Sequence, residues 1–598
     1  MTYSNTYSST SSPTNFIPFS GMGMRKGGRA TMMPSNYQGD GSTLSLDFTT
    51  GVLDPRLTFS RASTATFVNS SGYVQFANAN LMTHSENCGS WGGAQSITAT
   101  ANVAIAPNGT LTADQLNFGS VDYFYNVTAI TNPVGQQYVG SVWMRTVSGT
   151  ASVGLRITNI NTGANSSITT CSVTETWQRF NTSAFTLTDT ANRAIDVGVD
   201  QRSIVSGPGV SANIYIWGLQ LQPGASVGEY LPTTTTQNYS TPRFDYSPTN
   251  IGQPRGLLIE SQAVNKAINS ETFASAFYIP NTTTLFNETT GTNPAGTVGN
   301  IWFAPTSNGD NRFLGPSLLG VSTTSKVTYS VWLKAKGTNR GAFLLFNSGG
   351  IVNSSGVVIS QPANASASFT GNGSAAPTIT NLSSTGWTRV AITTDAVLGG
   401  TGKFEAFLYP KGTSGQTTND SLHIWGAQIE ETSGASSYIP TGASGVTRNE
   451  DSCVMTGTNF SSWSNSLEGT FLCNFQTTYS GITPSASLLL TFDSSGSKRI
   501  VYLPTGSILV ASYDGTNILN ATGTATGVSA KVASSYNQSN KSIVFNGGTV
   551  ATGVVAAGYS SATSLGIGIG GTVNAHFKQI KFYPIFLTNT QLQTLTTP

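Results

Sequence analysis

Charge is what this sequence most lacks. Asp, Glu, Lys and Arg make up only 9% of its 598 residues, against about 25% in an ordinary soluble domain. The net charge of +2 is too small to steer the chain toward nucleic acid. Histidine occurs only at His84, His423 and His576; with no H-x-x-x-H pair, a zinc hydrolase is not indicated. The four cysteines, Cys88, Cys171, Cys453 and Cys473, form no C-x-x-C pair, so neither a zinc knuckle nor a redox motif is expected. Buried free thiols in a reducing compartment are the expectation. No stretch of about 20 apolar residues is present, so no membrane insertion is expected. The polar N-terminus lacks the basic-then-apolar pattern of an export signal, and folding in the cytoplasm is expected.

Catalytic signatures are equally sparse. There is no G-x-S-x-G elbow and no Walker or dinucleotide loop, so neither a nucleophilic hydrolase nor a bound cofactor is expected. A glycosidase needs two carboxylates about 5–10 Å apart, and the 26 acidic residues form no paired strand motif. Glu260, Glu430 and Glu431 border linkers, where joint or surface roles are expected. The chain is read as a non-enzyme without a metal site. Asp514-Gly-Thr-Asn517 has calcium-loop residue types but reads as a plain turn.

What is abundant is glycine, at 65 residues, with Ser, Thr and Asn in every segment and aromatics at 10%. Aromatics at that level argue for packed cores. Thr and aromatics favour strands, whereas Gly, Asn and Ser favour turns. The class expected is all-β. At about 150 residues per domain, the length predicts roughly four units.

An internal repeat organises the chain. Ser141-Val-Trp-Met-Arg145 is matched by Ser330-Val-Trp-Leu-Lys334, and Thr176-Trp-Gln-Arg179 by Gly386-Trp-Thr-Arg389. Ile214-Tyr-Ile-Trp-Gly-Leu-Gln-Leu221 is matched by Leu422-His-Ile-Trp-Gly-Ala-Gln-Ile429. The closing Glu229-Tyr-Leu-Pro232 is matched by Ser437-Tyr-Ile-Pro440, and the lead-in Asn80 to Glu86 by Asn265 to Glu271. Ordered matches of this kind identify a duplication. The offset grows between the first and second tryptophans, which places an insertion near residues 348–374 of the second copy. Short alternating strands with Gly and Pro turns describe jelly rolls or sandwiches.

The expected organisation is a docking arm over residues 1–43, a short β region over 44–79 and a first jelly roll over 80–240. A joint follows over 241–263, then a second jelly roll over 264–445 and a sandwich over 446–598. The arm's only basic cluster is Arg25, Lys26 and Arg29. In the joints, Arg56, Arg61, Arg243 and Arg255 lie near Asp54 and Asp245, and bidentate pairing is expected to pin the linkers. The last segment, Thr588 to Leu595, predicts a short helix capped by Thr588 or Asn589.

Leu53-Asp-Pro-Arg-Leu-Thr-Phe-Ser-Arg-Ala-Ser-Thr-Ala-Thr-Phe67, with Gly72-Tyr-Val74, resembles a signature of bacteriophage tail and other virion proteins. Pro242 to Tyr246 and Pro254 to Glu260 resemble the segment that follows it, although here the first jelly roll separates the two. The lead-ins at Asn80 and Asn265 resemble those of carbohydrate-binding-like jelly rolls. The final unit, with Ile580-Lys-Phe-Tyr583 and Leu587 to Leu592, is similar to concanavalin-A-like lectin/glucanase sandwiches. The resemblance implies a structural virion protein, located in the particle and made in the host cytoplasm. It would be a tail fibre or spike whose partners are other virion proteins, through the arm, and a host-surface glycan. It also implies a homo-oligomer, with a trimer favoured. A capsid-decorating or head-fibre protein without a ligand is the alternative, and a polysaccharide-degrading enzyme ranks below it.

Two groups of tryptophans have different expectations. The repeated Trp143, Trp177, Trp217, Trp332, Trp387 and Trp425 are expected in cores. The unrepeated Trp91, Trp302 and Trp463, among Gly, Ser and Asn, are the candidates for stacking on a sugar ring. An adhesin should expose at least one of these three beside polar groups, whereas ligand-free modules should bury them all.

Overall fold

A computed structural model describes residues 40–598 except 131–135, 188–192, 203–210, 337–341, 371–377, 395–400, 478–486, 524–529, 557–561 and shorter stretches between them. Arg25, Lys26 and Arg29 of the expected arm lie outside the described residues.

The fold is all-β and its sheets are antiparallel. Its C-terminal sandwich is assembled from three separated parts of the chain. The ten-residue strand Asn574–Tyr583 organises one sheet. Along one side it pairs with Gly469–Thr477. Its other side is shared end to end: Leu44–Asp47 pairs with residues 579–582 and Pro254–Glu260 with 574–577. Arg243–Tyr246 then adds to Pro254–Glu260. The opposing sheet starts with Thr58–Ser60, paired to Ser452–Thr456. Leu44, Leu46, Leu57, Phe59, Leu257 and Ile259 therefore share one buried core with Phe471, Phe577 and Phe582. Their alternation places every second residue inward, as half-buried strands require. The segments that read as a short β region and a joint thus supply strands to this sandwich; the first jelly roll is carried between them, and the second between the joint and Ser452–Thr456. Ala263–Asn265 and Val446–Arg448 pair at the neck of the second jelly roll.

Each jelly roll packs two sheets around its own core. Residues inserted in the second copy add strands: Ala365–Thr370 pairs on Thr388–Thr394, and Ile351–Asn353 on Val358–Ser360.

One hydrogen-bond lock recurs in both copies. The Asn80 side-chain amide donates to the Leu219 and Leu231 carbonyls, and its oxygen accepts from the Met82 and Leu221 amides. Asn265 does the same with Ala427, Ile439, Ala267 and Ile429. Ser85 meets the Tyr230 hydroxyl at 2.7 Å, and Ser270 meets that of Tyr438 at 2.7 Å. These bonds tie the lead-in to the closing Tyr-x-Pro and satisfy polar groups that burial would otherwise leave unpaired. Gly218 and Gly426 stand at the same register break with φ of +71° and +65°. A side chain there would be strained, and a Cβ on Gly426 would lie 2.8 Å from the Trp332 ring.

The parts converge on a buried ionic hub. Arg243 donates to Glu260 at 2.7 Å and to Asp451, and Arg61 donates to Asp451 at 3.1 Å. Arg448 lies 3.6 Å from Glu260, and all five side chains are fully buried. Burial works against ionisation of Glu260, but Arg448, Arg243 and Ser437 outweigh it and hold its carboxyl far below the usual range. Arg56 does pair bidentately with Asp54, at 2.9 and 2.8 Å. Arg243 instead bypasses its neighbour Asp245, which receives His576 at 2.7 Å. Sequence proximity favours the short-range pair, whereas strand pairing brings more distant carboxylates against Arg243.

The C-terminal helix Asn589–Thr596 is capped by Thr588, which exchanges hydrogen bonds with Gln591 in a capping box. Among the described residues, no helix is long and apolar enough to cross a membrane.

Candidate functional site

The unrepeated tryptophans have separate environments. Trp91 is only 9% exposed, stacks on Phe124 in the first jelly-roll core and donates to the His84 carbonyl at 3.0 Å. Trp463 is 3% exposed, packs on Phe460 and Phe582, and points its indole nitrogen at the Met455 sulfur. Burial removes both from the candidates for sugar contact. Trp302 is half-buried on the outer face of the second jelly roll, stacked on Phe286 with ring centres 4.1 Å apart.

Trp302 belongs to a row that crosses the sheet. Phe286 is directly opposite Trp302, Trp302 opposite His423, and His423 opposite Lys334. The Lys334 ammonium lies 4.9 Å over the Trp387 ring, which closes the row. Phe303, Ile424 and Leu333, adjacent along these strands, belong to the core. Alternation therefore turns Trp302, His423 and Lys334 outward. Phe286 is 39% exposed, leaving an aromatic edge open to solvent.

The row's electrostatics centre on one lysine. Lys336 lies 4.7 Å over Trp302 and 3.2 Å from Glu288, so its charge is paired. His423 is driven down to about 4 by burial and the nearby Lys334, and is neutral at pH 7. Lys334 itself has no carboxylate within 4 Å among the described residues; burial draws its pKa down against the pull of Glu288.

The first jelly roll carries a row at the same register. Gln115 is opposite Tyr215, and Tyr215 opposite Arg145. Arg145 lies 4.4 Å over Tyr215 and 5.4 Å over Trp177. Trp177 donates to the Ile105 carbonyl at 3.0 Å, as Trp387 does to that of Thr292 at 2.9 Å. Arg145 and Lys334 occupy matched positions, as do Trp177 and Trp387.

The core expectation for the repeated tryptophans holds for Trp217, Trp332 and Trp425, which are buried, but in small clusters of their own. Trp217 packs with Trp143, Trp177 and Tyr230 in a small cluster separate from the first jelly-roll core. Trp332, Trp425 and Tyr438 form its counterpart, covered by Val68 and Val74 of the hairpin Thr66–Val68/Val74–Phe76. Trp177 and Trp387 remain half-buried at the edges of these clusters. The missed signal was the period of two: Arg145 and Lys334 follow Trp143 and Trp332 by two residues, and Tyr215 and His423 precede Trp217 and Trp425 by two.

The remaining chemical candidates are occupied by structure. Glu260 serves the hub, Glu430 accepts from the Ser436 amide at 3.0 Å, and Glu431 pairs with Lys266 at 2.5 Å. Asp514 accepts from the Thr516 and Asn517 amides with one oxygen, and from Lys541 and the Ala556 amide with the other. The turn therefore has an ammonium where a metal ion would stand. All four cysteines are buried and free, and burial raises their thiols, Cys171 and Cys453 to about 12.

No family model and no curated protein sequence matches the chain. Solved structures do. The sialidase CBM40 of Ruminococcus gnavus bound to α2,3-sialyllactose is similar at 17% identity, over 22% of this chain and 84% of that one, with a TM-score of 0.19. The CBM22-1–CBM22-2 tandem of Paenibacillus barcinonensis Xyn10C aligns at 10% identity, over 62% and 100%, with a TM-score of 0.20. Domains LG4-5 of the mouse laminin α1 chain align at 9% identity, over 48% and 91%, with a TM-score of 0.16.

Proposed function

We propose that this chain is a structural component of a phage virion, a tail-fibre or spike-type appendage whose jelly rolls bind glycan on the host surface. The observation that carries the binding role is the duplicated outward row. An aromatic face beside polar groups suits a sugar ring, which offers C–H bonds to the ring and hydroxyls to the polar side chains. Two rows in one chain, multiplied by oligomerisation, convert weak single-site contacts into avidity. The phage context rests on the resemblance of residues 53–67 and 242–260 to virion proteins. Under this reading the arm with Arg25, Lys26 and Arg29 holds the chain to other virion proteins, and a trimer is the expected assembly. The role is binding without catalysis.

Cryo-EM of the particle, with the chain located in its density, tests the context. Density at the tail with the jelly rolls outward is the expected result. Density on the capsid, combined with a glycan array showing no bound sugar, overturns the adhesin in favour of a decoration protein. The burial of Trp91 and Trp463 fits that second reading; the half-exposed Trp302 favours the first.

A further inference from the structure

Both rows place a cation on the same ring at the same position. Arg145 faces Trp177 and Tyr215, and Lys334 faces Trp387 beside His423. Neither cation has a carboxylate within salt-bridge distance among the described residues. Among the described residues Arg179 and Arg389 also lack a carboxylate, but each donates to a backbone carbonyl and a serine hydroxyl, which leaves fewer of their donors free. Arg156 pairs with Asp196 and Asp200, and Arg243 with Glu260 and Asp451. Lys336, two residues beyond Lys334 on the same face, is also paired, with Glu288.

Stacking explains only part of the arrangement. An aromatic face attracts a cation, but it leaves outward N–H donors without an anion. Those donors sit beside half-buried rings, whose edges offer a pyranose an apolar surface to pack against. A carboxylate on that pyranose would receive charge-assisted hydrogen bonds. We infer that the two rows are paired sites for an acidic glycan, in which Arg145 and Lys334 each receive a sugar carboxylate while the neighbouring aromatics hold the ring. Arg145 can grip a carboxylate with two parallel N–H groups, whereas Lys334 offers a point charge. The two sites should therefore differ in strength but not in the sign of charge they select. Single-stranded nucleic acid also combines anions with stackable rings, but a net charge of +2 gives little long-range attraction to its backbone.

This inference rests on the glycan-binding reading and deepens it. The test is the full-length chain on an array of neutral glycans and of uronate- and sialate-bearing glycans, each acid printed beside its methyl ester. An oligothymidine spot serves as the polyanion control. Acidic glycans should bind, and their esters should bind about tenfold or more weakly, the loss expected for charge-assisted hydrogen bonds. The double variant Arg145→Gln/Lys334→Gln should lose the preference for acid over ester. Circular dichroism and melting of that variant should match the parent, since both side chains lie on outer faces. Equal binding of acids and esters overturns the inference but leaves glycan binding standing. Binding to oligothymidine alone overturns it in favour of nucleic acid. An array without bound sugar overturns both readings.

Discussion

Apart from the strands inserted in the second, the two jelly rolls differ where they face outward. Their locks are the same residue for residue: Asn80 and Asn265, Ser85 and Ser270, Tyr230 and Tyr438, Thr233 and Thr441. Their rows have diverged. Gln115, Tyr215 and Arg145 of the first stand where the second has Trp302, His423 and Lys334. A buried hydrogen-bond network tolerates little exchange, because each lost partner leaves a desolvated group behind. An outer face has no such constraint, so the same frame can present different surfaces. The row's common element, a cation on a tryptophan, survives that freedom.

The jelly rolls also differ in how they join the sandwich. The second is tied directly to the hub, since Ser437 donates to Glu260 through its amide at 2.7 Å and its hydroxyl at 2.6 Å. The first is held there through backbone at its exit, where Arg61 donates to the Tyr239 carbonyl at 3.1 Å. Breaking the hub should expose this asymmetry. Glu260→Ala leaves Arg243 and Arg448 buried without that anion, and should destabilise the chain by about 3–5 kcal/mol. Hydrogen exchange of the variant should rise first in the second jelly roll and the sandwich strands, and least in the first jelly roll. Equal exchange in both would contradict the asymmetry.

The lock should respond symmetrically. Asn80→Ala and Asn265→Ala each remove four hydrogen bonds and should each cost on the order of 3 kcal/mol. Thermal unfolding should show the two losses within about 1 kcal/mol of each other, given the usual context dependence. A much smaller loss for one would mean that its lock is not needed in that copy.

A smaller effect should separate the copies by pH. Glu271 reaches the Gln136 side chain of the first jelly roll at 3.3 Å, and burial pushes its carboxyl up to about 7. A folded pKa above the unfolded value means that the native state binds the extra proton. The stabilisation is thus complete below about 4.5 and is lost as pH rises through about 7. Melting temperature should fall slightly over that window, and Glu271→Gln should flatten the change. An unchanged slope in that variant would assign the dependence to another group.

Much of this was legible in the chain itself. Alternation, turn residues and the ordered Trp matches disclose an all-β duplication, and Thr588 with Gln591 discloses the final helix and its cap. The row was only partly legible. Trp302 stood out as an unrepeated aromatic, but Trp177 and Trp387 looked like core because they recur. Trp91 and Trp463 looked accessible because their neighbours are small and polar. Local composition reports the turns around a residue, whereas burial depends on what the sheets bring over it.

By itself, the sequence determined the strands, the turns and the repeat, because these follow from the periodicity of side chains along an extended backbone. Only the tertiary structure decided that Leu44–Asp47 and Pro254–Glu260 share one side of Asn574–Tyr583. It also decided that Arg61, Arg243 and Arg448 meet Glu260 and Asp451 in one hub, and that four strand positions line up as a row closed by Trp387. Strand partners and register are set by long-range hydrogen bonds and a shared core, and some of the residues that meet there, such as Arg61 and Asp451, are hundreds of positions apart.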